Sequence, residues 1–280
     1  MTPGHPARVT ALSCYPVKGC AGVAMDDAML TVAGLSHDRS LMVTSEEGVF
    51  RTQRRLPRLA LIRPGIDAEG EQLTLSAPGM EELAVRVDTS GARRDVELFG
   101  VPFKGIDQGG EVAEWLSEFL REPCRLVRVP PEHDRVTDGR TPGTSGYADS
   151  CAVHVLSRAT LDALNARMTA HGCAPLPMDR FRPNLVVDGW DEPHTEDLPR
   201  RIAIGDAELG YAKLAIRCAV TMVDQTTGDK AGPEPLRTLA SYRRAAGGGV
   251  ALGSKFAVLR PGKLSVGDEL TVGAWGESEL

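Results

Sequence analysis

The sequence predicts a mainly β protein of the α+β class that is built from two domains. Short apolar segments bounded by Gly, Pro, Asp or Ser recur along the whole chain, which is typical of strands in a β-barrel or sandwich. Few segments have apolar residues at helical spacing, and the sequence contains no internal repeat. A length of 280 residues suits one large domain or two of ordinary size, and we expect two.

The first half is predicted to consist of short strands followed by one helix. We expect the strands at 9–15, 28–32, 40–44, 60–63, 72–76, 83–87 and 96–98. The segment EVAEWLSEFLRE then has apolar residues at helical spacing, and Pro123 ends that pattern. This amphipathic helix is expected to connect the two halves.

The second half begins with a long loop and returns to β-structure. Residues 129–150 are rich in Pro, Gly, Asp and Thr without periodicity, and such loops are usually functional or disordered. A buried strand at 152–156 leads to a helix that Ser157 caps, and a second helix is expected within 233–245. The remaining strands are expected at 185–188, 201–204, 208–217, 220–223, 251–259 and 269–272.

Composition and charge exclude several classes of function. The net charge is −6, and Lys and Arg are scattered, so we expect no nucleic-acid binding. No window approaches the apolar length of a membrane span and no signal peptide is recognisable, so we expect a cytoplasmic protein without membrane contact. The six cysteines form no C-x-x-C pair, and neither a zinc motif nor a dinucleotide or P-loop glycine motif is present.

Cys218 is the first residue that could carry chemistry. It lies in the apolar strand LAIRCAVTMVD, where a lone cysteine is ordinarily a small buried side chain. The adjacent Arg217 favours the thiolate, which in a pocket would be a nucleophile or a ligand for a soft or high-valent metal. No residue nearby supplies a second protein ligand, so a metal at Cys218 would need an organic chelate to complete its coordination.

Polar residues in four loops are the other candidates. In MDRFRPNLVVDG, Arg182 and Asn184 point to one side of an extended chain and would suit a phosphate or polar heterocycle, although an Arg-rich solvated turn is the alternative. Lys18 lies at the turn of YPVKGC, where a solvated lysine is the ordinary explanation. The remaining candidates are Asp38-Arg39, which is more often a surface ion pair than a catalytic dyad, and Asp149-Ser150, which could form a turn or surround an anion.

These motifs, in this order, resemble the MOSC family preceded by its N-terminal β-barrel domain. The layout is most similar to the mitochondrial amidoxime-reducing component and its bacterial relatives. The matching pieces span nearly the whole chain and are YPVKGC, GLSHDR, TQRRLPRLA, YADS with VLSRATLDALN, RFRPNLVV, RCAVTMVDQTTG, PLRTLASYR and PGKLSVGD. The resemblance implies an N-terminal β-barrel-like domain at 1–124 and a MOSC β-barrel domain with a few helices at 125–280.

The resemblance also implies a cofactor and a site. In such proteins the molybdenum cofactor, whose metal is held by the dithiolene of a phosphate-bearing pterin, sits between the two domains. The metal-ligating and catalytic cysteine matches Cys218, and the dithiolene removes the need for a second protein ligand. The cofactor-binding positions match Lys18, Gly19, Arg39, Asp149, Ser150, Arg182, Asn184 and Cys218. Gly19 stands where serine is expected, so a backbone N–H would have to replace one hydroxyl contact.

The implied activity is the two-electron reduction of N-hydroxylated compounds such as amidoximes, hydroxylamines and N-hydroxylated bases. The sequence shows no cysteine-rich ferredoxin-like extension, so we expect a monomer that receives electrons from a separate ferredoxin or flavoprotein. One alternative is a cofactor or sulfur carrier that uses Cys218 as a persulfide site without turnover. The family's association with pyridoxal phosphate comes through sulfurases, whose pyridoxal-phosphate domain this sequence does not show. A further alternative is a β-rich domain that binds another small anion in the same cleft.

Overall fold

The computed structural model describes residues 6–280 and has strands as its main element. The first half contains β1 Arg8–Cys14, β2 Val17–Lys18, β3 Val23–Met25, β4 Asp27–Thr31, β5 Gly34–Leu35, β6 Leu41–Thr44, β7 Arg63–Ile66, β8 Gln72–Ser76, β9 Leu83–Arg86, β10 Arg93–Leu98 and β11 Val101–Asp107. The second half contains β12 Arg125–Arg128, β13 Val136–Thr137, β14 Gly143–Thr144, β15 Val153–Ser157, β16 Leu185–Asp188, β17 Pro199–Ile204, β18 Ala207–Arg217, β19 Val250–Arg260, β20 Gly262–Ser265 and β21 Leu270–Trp275.

Helices are few and short. The α-helices are α1 Gly110–Leu120, α2 Arg158–Ala170 and α3 Leu236–Ala240. The 3-10 helices are η1 Pro57–Leu61, η2 Met178–Phe181, η3 Thr195–Asp197 and η4 Ala219–Met222. Within residues 6–280, none of the helices has both the length and the hydropathy needed to cross a bilayer. The prediction of a mainly β protein with a few helices is confirmed.

The sheets are open and mixed, and strands of the two halves pair with each other. The largest sheet has eight strands in the order β21-β17-β18-β19-β15-β16-β1-β3, and a five-stranded sheet has the order β10-β11-β12-β6-β2. Two strands of the first half therefore extend the large sheet through the antiparallel β1–β16 pair, while β12 completes the smaller sheet beside β6. Among residues 6–280 no sheet closes on itself as the expected barrels would, and each of the two large sheets contains strands of both halves. The boundary at 124/125 stays a prediction.

The two sheets have separate cores. The core of the large sheet is formed by β1, β15, β17 and β18 and contains Val9, Val153 and Tyr211. The other core lies under α1, whose apolar face is buried as its periodicity predicted. Full burial of an aliphatic or aromatic side chain contributes about 1.5–3 kcal/mol, and Trp115 also donates its indole N–H to the Glu81 carbonyl at 2.8 Å. Helix α1 therefore stabilises the first half and leads into β12.

Helix α2 begins as the sequence predicts. Ser157 Oγ accepts the backbone N–H of Thr160 at 3.1 Å, which is the N-cap bond. The same hydroxyl donates to the buried Glu196 at 2.9 Å, so the cap also joins the helix to η3. Leu161, Leu164 and Met168 are buried, and this places α2 against the sheet.

Four local predictions differ from the structure. The expected strand at 60–63 is replaced by η1 and β7, because Pro57 starts a helical turn. The expected strand at 220–223 is η4, and the helix expected within 233–245 is limited to α3. After α3 the buried Arg243 donates to Asp197 at 2.5 Å. The long loop at 129–150 contains the small β13–β14 hairpin.

Candidate active site

A cavity of about 340 Å³ lies where loops of the first half meet the large sheet. The eight residues selected from the sequence all line it: Lys18, Gly19, Arg39, Asp149, Ser150, Arg182, Asn184 and Cys218. They come from β2 and the turn after it, the turn before β6, the end of the long loop, the η2–β16 connection and the end of β18. The structure thus joins motifs that are as far as 200 positions apart in the chain.

Cys218 lies directly after β18, at the turn into η4. Its carbonyl oxygen accepts hydrogen bonds from the Thr221 N–H at 3.0 Å and the Thr221 hydroxyl at 2.9 Å, and these bonds turn the chain so that the half-buried thiol lies on the cavity wall. In residues 6–280, no three His, Cys, Asp or Glu side chains are grouped so that they could hold a metal ion. A metal at Cys218 would therefore take most of its ligands from outside the protein.

Asn184 fixes the neighbouring charged residues. Its Oδ1 accepts hydrogen bonds from Arg39 Nη1 and from the His154 backbone N–H, both at 3.1 Å. Its Nδ2 donates to the Ser13 carbonyl at 3.1 Å and to Asp38 Oδ1 at 3.0 Å. These four bonds use the full hydrogen-bonding capacity of an amide, and the side chain is only 2% exposed. No donor or acceptor of this side chain is left for a ligand, so Asn184 determines where Arg39 points.

Tyr15 supports two of the predicted cations, and the sequence analysis did not select it. The guanidinium carbons of Arg39 and Arg182 lie 4.2 and 4.3 Å from the centre of its ring. The buried tyrosine donates its hydroxyl hydrogen to the Pro183 carbonyl at 3.2 Å, which keeps the ring in place. Each cation–π contact contributes about 0.5–2 kcal/mol and offsets the repulsion between the two arginines.

Lys18 and Asp149 form an ion pair in the cavity wall. Burial lowers the pKa of Lys18, and the Asp149 carboxylate opposes that change. Burial alone would raise the pKa of Asp149, but the Lys18 ammonium holds it well below its ordinary value. The rings of Phe50 and Phe99 lie 5.8 and 5.1 Å from Lys18 Nζ, distances at which an aromatic face attracts an ammonium group.

Gln53 and Gln225 join the loops on two sides of the cavity, and the sequence analysis selected neither as a site residue. Gln225 Nε2 donates to Gln53 Oε1 at 2.9 Å, and Gln53 Nε2 donates back to Gln225 Oε1 at 3.1 Å. Gln53 Nε2 also donates to the Gly19 carbonyl at 2.6 Å, and Arg182 Nη1 donates to Gln225 Oε1 at 3.3 Å. Gly19 has φ +84, so its peptide orientation depends on glycine and on this bond from Gln53.

Three further basic groups share the cavity wall. Arg217 Nη2 donates to the Phe181 carbonyl at 2.8 Å, and Nη1 lies 3.4 Å from His154 Nε2. Burial and the positive charges of Lys255 and Arg217 lower the pKa of His154, so its ring is neutral at pH 7. Burial and the charges of Arg217 and Arg39 lower the pKa of Lys255 to about 7. His154 and Lys255 are directly opposed on β15 and β19, a pairing that short-range sequence patterns do not reveal.

The residues of the cavity fit an anionic metal chelate. Arg182 Nη2 and Arg217 Nε are buried and have no hydrogen-bond partner within residues 6–280, and burial lowers the pKa of both guanidiniums. Unpaired buried donors are costly and rare in proteins, so they indicate a missing acceptor. A phosphate-bearing chelate would supply acceptors and negative charge, and Cys218 would supply one sulfur ligand to its metal.

Comparison with known proteins gives the class of the chain. Residues 6–123 match the family model for the MOSC N-terminal beta barrel domain, and residues 142–271 match the model for the MOSC domain. The chain belongs to the MOSC family. This confirms the resemblance inferred from the motifs.

Two relatives match most of the chain over most of their own length, and a third matches over a smaller part of its own length. Mitochondrial amidoxime-reducing component 1 of Homo sapiens is 34% identical, and the alignment covers 93% of this chain and 81% of that protein. Mitochondrial amidoxime reducing component 2 of Rattus norvegicus is 36% identical with the same coverage. Molybdenum cofactor sulfurase of Danio rerio is 32% identical over 86% of this chain but only 31% of its own length. Nothing in residues 6–280 supports the association with pyridoxal phosphate.

Proposed function

We propose that this protein is a molybdenum cofactor oxidoreductase that reduces N-hydroxylated compounds, with electrons from a separate ferredoxin or flavoprotein. The observation that carries the proposal is the meeting, in one cavity of a MOSC-family chain, of a half-buried thiol with buried guanidinium donors that have no partner in the described part of the chain. The names of the amidoxime-reducing relatives support the choice of substrate class.

The residues of the cavity divide into three roles. Cys218 Sγ would be the protein ligand of the metal, and the cationic side chains would hold the negative charges of the cofactor. Asp149 pairs with Lys18, Ser150 follows it in the same cavity wall, and the Gly19 N–H would have to replace the expected serine hydroxyl. Asn184 would act through Arg39, because its own amide is saturated. When bound, the cofactor supplies a metal that accepts oxygen from the substrate and exchanges two electrons.

The protein itself supplies orientation and protons. Converting N–OH to N–H with release of water consumes two electrons and two protons. Lys255 Nζ faces the cavity and can hold or release a proton at neutral pH, whereas His154 is neutral there. The charged and titratable groups around Lys255 are Arg39, Asp149, Cys151, His154, Lys213 and Arg217.

Paired expression tests the proposal. The chain is produced in a host that makes the pterin and in a matched host that cannot, and molybdenum is then measured per chain. We expect about one metal per chain from the first host alone, together with benzamidoxime reduction by dithionite-reduced methyl viologen. Cys218→Ala should abolish turnover, whereas Cys173→Ala, at a half-buried cysteine outside the cavity, should leave it intact.

Other outcomes would identify the alternatives. A Cys218→Ala protein with wild-type turnover would contradict the ligand assignment. A persulfide on Cys218 seen by mass spectrometry, together with no turnover of any N-hydroxylated compound, would instead indicate a carrier. Equal metal content from the two hosts would mean that the pterin is not bound.

A further inference from the structure

The hairpin between β10 and β11 ends in a turn that is unusual for its sequence. Its two central residues, Phe99 and Gly100, have φ of 56° and 78°, the positive values of a type I′ turn. Glycine and asparagine adopt this conformation readily, but a bulky aromatic residue is strained there. Phe99 is also 46% exposed, so burial in a core does not explain the choice of phenylalanine.

The Phe99 side chain is nevertheless held in a defined place. Its ring packs edge-to-face on Phe50, with centroids 4.7 Å apart and planes at 63°, and Lys18 Nζ lies 5.1 Å from its centre. Both phenyl rings line the cavity, and part of the Phe99 surface remains accessible. A strained residue that is fixed by its neighbours and faces a cavity indicates a contact with a ligand.

A second exposed apolar side chain lines the same cavity from the large sheet. Ile216 is 49% exposed and precedes Cys218 by two residues, which places the two Cα atoms within roughly 7 Å. Its Cγ2 lies 2.7 Å from where a Cβ on Gly249 would be, so only glycine leaves room for this side chain. The apolar contacts therefore reach close to the sulfur, while the charged groups around them are mainly cations.

We propose that Phe99 and Ile216 determine substrate specificity, and that they select N-hydroxylated compounds with a planar apolar body and no cationic group. The inference rests on the proposed function and adds the part of the substrate that the protein recognises. Phe99 would stack on the planar body, and Ile216 would contact it near the reacting oxygen. The cavity's arginines and lysines would disfavour a cationic substrate.

Two substrates and three variants test the inference in the holoenzyme. Benzamidoxime and acetamidoxime share the reacting group and differ in the ring. Phe99→Asn creates the Asn-Gly pair that this turn favours, so folding should be preserved. Val101→Ala is the matched control, because Val101 is 50% exposed in the same hairpin but does not line the cavity.

We expect Phe99→Asn to raise KM for benzamidoxime about two- to twelvefold, the range of an aromatic contact, with kcat and molybdenum content within about twofold of wild type. Ile216→Ala should act in the same direction, while acetamidoxime kinetics and the Val101→Ala variant should stay unchanged. Calorimetric binding of benzamidoxime to the oxidised holoenzyme, without reductant, should show the same loss of affinity.

Three outcomes would overturn it. An unchanged benzamidoxime KM in Phe99→Asn would remove the proposed contact. Equal losses for the two substrates, or loss of molybdenum, would mean that Phe99 acts through Lys18 on the cofactor. If the wild-type holoenzyme reduces neither compound, both the proposed function and the specificity inference are wrong. If the wild type reduces both compounds and the variants behave like it, only the specificity inference is wrong.

Discussion

The Gln53–Gln225 pair offers a direct test of how the two sides of the site are held together. Gln53 is 1% exposed and donates from one nitrogen to Gly19 and to Gln225, which returns a bond to Gln53 Oε1. A neutral hydrogen bond contributes about 1 kcal/mol net, and a stranded buried group costs about 1–3 kcal/mol. Gln53→Ala should therefore lower the free energy of unfolding by about 2–4 kcal/mol.

A double-mutant cycle isolates the contact between the two amides. The pair exchanges two hydrogen bonds, so the coupling between Gln53→Ala and Gln225→Ala should be about 1–2 kcal/mol. Urea unfolding of the wild-type, single-variant and double-variant proteins measures this coupling. Gln72→Ala, at an exposed position of β8, is the control and should cost less than about 0.5 kcal/mol.

The cofactor should respond as well as the stability. Without the pair, the turn that carries Lys18 and Gly19 is no longer joined to the segment that follows Cys218, so the fraction of chains retaining molybdenum should fall. Additive effects of the two substitutions, or single variants that retain metal as the wild type does, would refute this account of the site.

Three other variants should also give measurable effects. Gly19→Ser should lower the free energy of unfolding by about 1 kcal/mol, because φ is +84 while the new Cβ would meet only Leu59 at 3.6 Å. Gly79→Ser, at φ +78 with open space, should cost the same in thermal melting, but metal analysis should show a higher molybdenum content for Gly19→Ser alone, because it restores the hydroxyl contact that the family resemblance implies. The pKa of Lys255 is about 7 in the folded protein and 10.5 ordinarily, so between pH 7 and pH 10.5 the folded state binds fewer protons than the unfolded state. The free energy of unfolding should therefore rise with pH in this range, and the urea midpoint of Lys255→Met should lack that rise. Asn184→Ala removes four hydrogen bonds and should lower the free energy of unfolding, measured by urea titration, by about 2–4 kcal/mol. A decrease below about 1 kcal/mol would contradict the positioning role of Asn184.

Local patterns were sufficient for much of the fold. The apolar spacing of EVAEWLSEFLRE predicted the buried face of α1, and Ser157 predicted the start of α2, because helix periodicity and capping act over a few residues. The strand expected at 220–223 was wrong, since an apolar run does not distinguish a strand from the turn that Thr221 forms with the Cys218 carbonyl.

The sequence by itself selected eight residues that line the cavity, because the motifs around Lys18, Arg39, Arg182 and Cys218 resemble one family in their order and spacing. Only the tertiary structure decided how these residues are arranged. The saturated Asn184 amide, the reciprocal glutamine pair and the aromatic support of the arginines join positions more than a hundred residues apart. Such contacts depend on sheet order and register, which are set by packing across the whole chain and leave no short-range pattern in the sequence.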